Sequence, residues 1–152
     1  MKTRLILLTL FAGIQFTASA QWTDTWHTST NYLQGGCFAT SADTCFVTGS
    51  EGKIYRTLNG GTSWDSAQTI FTTSWFNDIR FPSASVGYAC GGTSFGTHHS
   101  IIARTSNGGV TWDSLTSNTF SFEFYSLSAP TENTAYFAGF ELVKTTDGGQ
   151  TF

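Results

Sequence analysis

The chain has 152 residues, enough for one ordinary domain with a buried core but too few for a multidomain assembly. Its 7 Lys plus Arg against 10 Asp plus Glu lack the clustered positive charge that phosphate contacts need, so a nucleic-acid binder is excluded. Hydrophobic residues make up 39% and charged residues only 11%, which excludes a disordered chain, while 16 Gly against 2 Pro favour β structure with tight turns.

The first 20 residues have the pattern of a secretory signal peptide. Lys2 and Arg4 form a short basic start, residues 5–16 are apolar but too short to span a bilayer, and residues 18–20 form a small-x-small cleavage site. We expect cleavage after Ala20 and a secreted, periplasmic or surface-displayed protein of bacterial type. Nothing later in the sequence resembles a transmembrane span.

All three cysteines, Cys37, Cys45 and Cys90, follow the signal peptide. An odd number in an oxidising compartment leaves at least one thiol free or paired outside the chain. A hairpin turn centred on Ser41 would place Cys37 opposite Cys45, which predicts a disulfide; two small buried side chains are the alternative. No Cys or His spacing is that of a zinc site, so we predict no metal.

The strongest feature is a repeat. Residues 56–64, 104–112 and 144–152 share the pattern Arg/Lys-Thr-x-Asn/Asp-Gly-Gly-x-Ser/Thr-aromatic, at intervals of about 40 to 50 residues. Upstream of each lies an aromatic-x-x-Gly segment, at residues 46–49, 88–91 and 136–139. Three matches at several positions indicate three copies of one structural unit.

Each repeat is predicted to fold as four short strands. In the second copy, strands are expected at 75–81, 87–91, 100–105 and 111–115, with turns at 82–85 and 107–109. The first and third copies follow the same plan over 32–70 and 122–152. Four antiparallel strands at this period predict an all-β fold, a β-propeller, rather than a β-sandwich, whose strands do not repeat at this length.

This reading divides the chain into a signal peptide, residues 1–20, and three blades at approximately 32–72, 73–117 and 118–152. Phe152 stands where the fourth strand of the third blade is expected, so we interpret the last blade as truncated and the propeller as incomplete. Residues 21–31, with Thr25 and Trp26 resembling the end of the repeat, are interpreted as an outer strand able to close a ring.

The three turns resemble the Asp-box, or BNR repeat, and the wider unit is most similar to the repeats of photosystem II assembly factor-like propellers. The resemblance covers about residues 32–152 and implies a structural rather than catalytic role for the box side chains, which should bond their own backbone, with the aromatic residue packed on the blade. The box positions are Thr57, Asn59, Gly61, Ser63 and Trp64; Thr105, Asn107, Gly109, Thr111 and Trp112; and Thr145, Asp147, Gly149, Thr151 and Phe152.

In a propeller we expect ligands at the channel mouth or on the face opposite the boxes. There the second repeat carries an insertion, residues 92–99, that makes a ligand loop of Phe95, His98 and His99; the alternative is a solvated loop. Arg56, Arg104 and Lys144 share one position of the repeat and would either attract an acidic partner or pair with Asp65, Asp113 or Glu141.

No catalytic constellation emerges, so we predict no catalysis and no cofactor. The function expected is a binding or scaffolding surface for a protein or glycan ligand. The alternative is part of a secreted sialidase- or xyloglucanase-like hydrolase whose catalytic residues lie partly outside this chain. For that alternative, Asp78 and Glu123 are the candidate acids, because both lie near the starts of innermost strands.

Overall fold

A computed structural model describes residues 32–38, 41–67, 69–93, 99–115 and 120–152. The predicted signal peptide, the predicted strand at 21–31 and two members of the predicted ligand loop, Phe95 and His98, lie outside the described residues. Within the described ranges, no helix has the length and apolar character needed to cross a membrane.

The described residues form three antiparallel sheets. The first contains β1 (Leu33–Phe38), β2 (Cys45–Gly49), β3 (Ile54–Thr57) and β4 (Asp65–Ser66). The second contains β5 (Ser74–Arg80), β6 (Gly87–Thr93), β7 (Ser100–Thr105) and β8 (Asp113–Ser114). The third contains β9 (Phe124–Ser128), β10 (Ala135–Gly139) and β11 (Leu142–Thr145). The prediction of an all-β chain is confirmed.

Each sheet is a simple meander, in which every strand pairs with the next along the chain. The first strands of the sheets, β1, β5 and β9, lie side by side, with β5 between the other two. Successive antiparallel meanders, two of four strands and one of three, that pack side by side through their inner strands have the architecture of propeller blades.

Two hydrophobic clusters fill the spaces between the sheets. Phe46 and Ile54 of the first sheet pack with Phe76 and Ile101 of the second. On the other face of the second sheet, Tyr88, Cys90 and Ile102 pack with side chains of the third, such as Phe124 and Phe137. Because alternate residues of a strand point to opposite faces, the middle sheet is apolar on both sides, and nearly all of β6 is buried.

The repeated turns, residues 57–63, 105–111 and 145–151, share one side of the molecule with the connections between the first and second strands. In each sheet the amide of the turn's first glycine donates to a carbonyl of that connection: Gly60 to Asp43 (2.9 Å), Gly108 to Ser85 (2.8 Å) and Gly148 to Asn133 (2.9 Å). Both glycines of each turn have positive φ, between 65° and 93°. The starts of the inner strands lie at the opposite end of the sheets.

The register of the first hairpin corrects the cysteine prediction. Cys37 lies opposite Phe46, and Cys45 lies opposite Phe38, so the two cysteines are offset by one residue. Residues offset by one position are not directly opposite in an antiparallel ladder, so this register does not match the pairing that the disulfide prediction assumed. Cys45 is a free thiol, and Cys90 is a free thiol buried in the core.

Candidate functional site

The three inner strands carry a bulge at equivalent positions near their starts. The ladder between β1 and β2 is irregular between Leu33 and Gly36. The ladder of β5 skips Asn77. The ladder of β9 skips Tyr125, because Phe124 pairs with Gly139 while Ser126 pairs with Ala138. A bulge releases one residue from the ladder and redirects its side chain, so Gln34, Asn77 and Tyr125 are presented at the same end of the sheets.

These bulges explain the aromatic-x-x-Gly segments. A Cβ on Gly49 would stand 2.4 Å from the carbonyl oxygen of Tyr32, one on Gly91 1.7 Å from that of Trp75, and one on Gly139 2.1 Å from that of Glu123. In each sheet the inner strand therefore approaches the second strand too closely for any side chain. The repeated glycine is required by the bulge that shapes the site.

Side chains on or next to the inner strands line an open cavity of about 470 Å³, which we call the mouth cavity. It is lined by Gln34, Trp75, Asn77, Glu123 and Tyr125. An adjoining cavity of about 340 Å³ shares Glu123 and Tyr125 and adds Ser121, Phe122 and Phe140. The lining thus combines aromatic rings, two amides and one carboxylate, a mixture typical of a binding site.

The surrounding fold fixes these side chains to different degrees. The Trp75 ring stacks on Tyr32, with centroids 5.9 Å apart and planes 16° from parallel. The Nδ2 of Asn77 donates to the carbonyl oxygen of Phe124 at 2.8 Å, which also links β5 to β9. Tyr125 has 54% of its surface exposed. The cavity therefore has a positioned indole and amide beside an accessible phenol ring.

Glu123, a candidate acid at the sequence level, lines the mouth cavity. Its aliphatic stem lies against Gly92, where a Cβ would stand 2.3 Å from the Glu123 Cγ. Gly92 therefore provides the space that lets the carboxylate reach the cavity. Gly92 and Thr93 were predicted to belong to the inserted loop, but both lie in strand β6.

Asp78, the other candidate acid, is buried, and both of its carboxylate oxygens have partners within the fold. Its Oδ1 lies 2.7 Å from Arg80 Nη1 and accepts from the Ile79 amide at 2.8 Å. Its Oδ2 accepts from the Leu127 amide at 2.9 Å and from the Ser126 hydroxyl at 3.3 Å. Asp78 thus joins two inner strands, and it does not line the mouth cavity.

The Cys90 thiol lies near Asp78. Its pKa is raised mainly by burial and, to a smaller extent, by the negative charge of the Asp78 carboxylate.

The repeated turns use their polar side chains internally. The Thr57 hydroxyl donates to Asn59 Oδ1 at 3.0 Å and accepts from the Gly61 amide at 2.9 Å, while Asn59 Oδ1 accepts from the Ser63 amide at 2.9 Å. The same three bonds recur, at 2.8 to 3.0 Å, among Thr105, Asn107, Gly109 and Thr111 and among Thr145, Asp147, Gly149 and Thr151. Hydrogen bonds from Thr151, then from Thr145 and Gln150, lower the pKa of Asp147. In the described ranges no group of three or more His, Cys, Asp or Glu could hold a metal.

The aromatic residues that follow these turns differ in burial. Trp112 is 2% exposed and meets Phe81 edge to face at 5.8 Å, whereas Trp64 is only partly buried. Phe152, which was expected to pack on its blade, is 43% exposed. Its ring centroid lies 5.9 Å from that of Phe120 and 6.2 Å from that of Phe137. Trp112 is enclosed because it belongs to the hydrophobic cluster between the first and second sheets.

The basic column does not form the ion pairs considered from the sequence. Arg56 lies opposite Asp65 and Arg104 opposite Asp113 in the ladders, yet the one ion pair within the described ranges joins Arg80 to Asp78. Arg56 Nη1 instead donates to the Gly108 carbonyl of the next sheet's turn at 3.3 Å. The Arg104 Cζ lies 5.8 Å from the centroid of the Tyr88 ring, and the Lys144 Nζ lies 5.4 Å from the centroid of the Tyr136 ring, so both cations lie over aromatic rings.

Of the predicted ligand loop, only His99 is described. It is partly buried, its amide donates to the Thr93 hydroxyl at 3.2 Å, and it is not among the residues that line the mouth cavity. Gln34, Trp75, Asn77 and Tyr125, which do line it, were not identified as site residues from the sequence. The signal available was the position of Asn77 and Tyr125, which both lie 11 residues before the aromatic residue of their aromatic-x-x-Gly segment, Tyr88 and Tyr136.

Comparison with known proteins places the chain by its fold. No protein-family model matches the sequence, and no curated protein matches it. Among solved structures, YCF48 from Cyanidioschyzon merolae is similar with a TM-score of 0.69 and 18% identity, over 87% of this chain and 42% of that one. A structure described as YCF48 bound to D1 peptide has a TM-score of 0.67 and 16% identity, over 87% of this chain and 44% of that one.

A third similar structure is the GH74 enzyme of Niastella koreensis, with a TM-score of 0.66 and 18% identity, over 86% of this chain and 24% of that one. At these identities the likeness shows the fold alone, and it confirms the prediction of a partial all-β propeller. The chain spans less than half the length of each of these proteins.

Proposed function

We propose that this chain is part of a secreted or surface-displayed β-propeller of bacterial type that binds a polypeptide in the mouth cavity without catalysis. The observation that carries the proposal is the convergence of three inner-strand bulges on one cavity lined by rings, amides and a carboxylate. A scaffold geometry shared by the three sheets presents a different side chain at each bulge, which suits a surface for recognition.

The hydrolase alternative has less support. It requires two acids facing each other across a cleft. Asp78 is held by Arg80 and by amides of two strands, and Glu123 is the one carboxylate among the described residues that line the two adjoining cavities. A single carboxylate beside rings and amides is better suited to binding than to acid–base catalysis of glycoside cleavage.

We also propose that the repeated turns are Asp-boxes. Support comes from the three hydrogen bonds that recur in each turn, and from the bond that ties each turn to the neighbouring connection of its own sheet. The box side chains therefore stabilise the blades, at the end of the sheets away from the mouth cavity.

A polypeptide is the ligand class that we favour over a glycan. One of the similar structures, of the same fold, is a YCF48 bound to D1 peptide. In the present chain the exposed bulge residues Gln34 and Tyr125 flank the cavity opening with an amide and a phenol, groups that are able to contact peptide backbone and side chains alike.

The test is a pair of screens of the full chain, one against random peptides displayed on phage and one against a glycan array. The proposal predicts selected peptides whose binding falls at least about tenfold in Tyr125→Ala. Leu58→Ala is the matched control, because Leu58 is similarly exposed, at 58% against 54%, but lies on the side of the repeated turns. Retention of glycans alone, or turnover of an aryl glycoside, would contradict the proposal.

Secretion is tested separately by sequencing the N-terminus of the protein recovered from the producing cell's medium, periplasm or surface. The proposal predicts a chain that begins at Gln21. A protein that keeps Met1 and stays in the cytoplasm would show that this part of the proposal is wrong.

A further inference from the structure

The polar atoms of the mouth cavity are unevenly divided between donors and acceptors. Asn77 Nδ2 donates to the carbonyl oxygen of Phe124, and since a carbonyl can only accept, this bond fixes the orientation of the amide. The atom that the Asn77 amide then offers to a ligand is Oδ1, an acceptor. The carboxylate of Glu123 adds further acceptor oxygens and a negative charge.

The aromatic side chains, like the acceptor oxygens, favour a positively charged ligand group. Trp75 uses one face against Tyr32, and Tyr125 exposes more than half of its surface. The faces of indole and phenol rings carry negative charge density and attract cations within about 6 Å. Among the described residues that line the mouth cavity and the adjoining cavity, none is Lys, Arg or His.

The strand connections at the same end add to this field. The described turn between β2 and β3 contains Glu51 and Lys53, and the turn between β10 and β11 contains Glu141. Together with Glu123, the described residues at this end place three carboxylates against one ammonium. A net negative charge at the end of the sheets that carries the cavity raises the local concentration of cationic ligand groups.

We infer that the mouth cavity receives a Lys or Arg side chain of a bound polypeptide, with the cation against Glu123 and over the rings of Trp75 and Tyr125. This inference rests on the proposed function, since it names the chemistry by which the cavity would recognise its partner. Glu123 is suited to the role because its stem is seated on Gly92, which restricts where the carboxylate can go.

The test uses the tightest phage-selected peptide, resynthesised with citrulline for Arg and acetyl-lysine for Lys. These replacements keep the approximate shape of the side chain and remove its charge. Loss of the essential cation is expected to weaken binding about tenfold to a hundredfold. Glu123→Gln keeps the stem on Gly92. It is expected to lower the affinity for the charged peptide about tenfold, so that the charged and neutral peptides bind equally well.

Glu132→Gln is the control, because Glu132 is exposed and lies on the connection between β9 and β10. This variant should change neither the affinity for the charged peptide nor the affinity for the neutral one.

The outcomes separate the inference from the proposed function. Peptides that need Tyr125 but bind equally well when neutralised would leave peptide binding standing and overturn the cation assignment. No selected peptide, or binding indifferent to Tyr125→Ala, would overturn both. As a second variant, Glu123→Lys is expected to shift selection towards peptides rich in Asp and Glu; continued selection of Lys or Arg would contradict the inference.

Discussion

Asp78 Oδ2 accepts a hydrogen bond of 2.9 Å from the backbone amide of Leu127, and this bond joins the inner strands of the second and third sheets. The same carboxylate pairs with Arg80 through its other oxygen. Asp78 is 6% exposed, so its contacts are made largely out of water. A residue that resembled a candidate acid in the sequence thus serves to join two blades.

Asp78→Asn is therefore expected to destabilise the fold. The amide group would turn a donor towards either the Leu127 or the Ile79 amide and would lose the ion pair, at a cost of about 2 to 4 kcal/mol in the free energy of unfolding. Arg80→Gln, at a residue whose side chain is 43% exposed, should cost about 1 kcal/mol or less. Urea titrations of both variants check this; equal losses would show that the contacts with the β9 amide and hydroxyl contribute little.

Gly91→Ala tests the close approach at the inner-strand bulge. A methyl group there would stand 1.7 Å from the Trp75 carbonyl oxygen, so the backbone of β5 would have to move, at an expected cost of about 3 kcal/mol or more. Gly36→Ala is the control, because a Cβ at that position would have its nearest neighbouring atom 3.2 Å away and little would need to shift. Thermal melts that fall together for the two variants would contradict this role for Gly91.

Asp147 is expected to make the third turn sensitive to acid. Its hydrogen bonds lower its pKa in the folded state, so the stability that the carboxylate contributes is present above its unfolded pKa of about 3.9 and is lost as pH falls towards its folded value. Asp147→Asn, which copies Asn59 and Asn107, is expected to remove this part of the acid dependence. Melting temperatures at neutral pH and near pH 3 test it, with exposed Asp113→Asn as control. An acid loss that Asp147→Asn leaves unchanged would show that this carboxylate is not its source.

The strand arrangement was largely readable from the sequence, because turn residues and apolar alternation are local signals. The third strand of the second copy lies where it was expected, at Ser100–Thr105, and the tight turn expected at 107–109 is part of a longer loop, with positive φ at Gly108 and Gly109 but not at Asn107. The repeat also indicated which residues share a structural position, and so led to the propeller prediction.

The candidate site was not readable in the same way. Gln34 and Asn77 are amides and Tyr125 is a phenol, so no single residue type marks the site. Only the bulges, which depend on how two strands approach each other, bring the three residues to one cavity. The disulfide prediction was wrong for a related reason: Cys37 and Cys45 are offset by one residue in the ladder, and the register of a hairpin depends on its turn type as well as its loop length.

Trp112 tests the packing between the sheets. Trp112→Ala is expected to cost about 3 to 5 kcal/mol, because the ring is 2% exposed and lies against Phe81. Trp112→Phe keeps an aromatic ring and removes a buried indole N–H that has no hydrogen-bond partner within the described residues, so its cost should stay below about 1.5 kcal/mol. Denaturant unfolding of both variants measures these changes in the free energy of unfolding. A loss of less than about 1 kcal/mol in Trp112→Ala would mean that the ring contributes little to the core.

Peptide binding at the mouth cavity is tested most directly by mapping where a selected peptide binds. Nitrogen-15 labelled full chain is titrated with the tightest phage-selected peptide, and its amide and indole signals are followed by two-dimensional NMR. We predict that the largest shifts belong to the Trp75 indole and to the backbone of Asn77 and Tyr125. Shifts centred instead on the repeated turns, around Leu58 and Val110, would contradict binding at the mouth cavity.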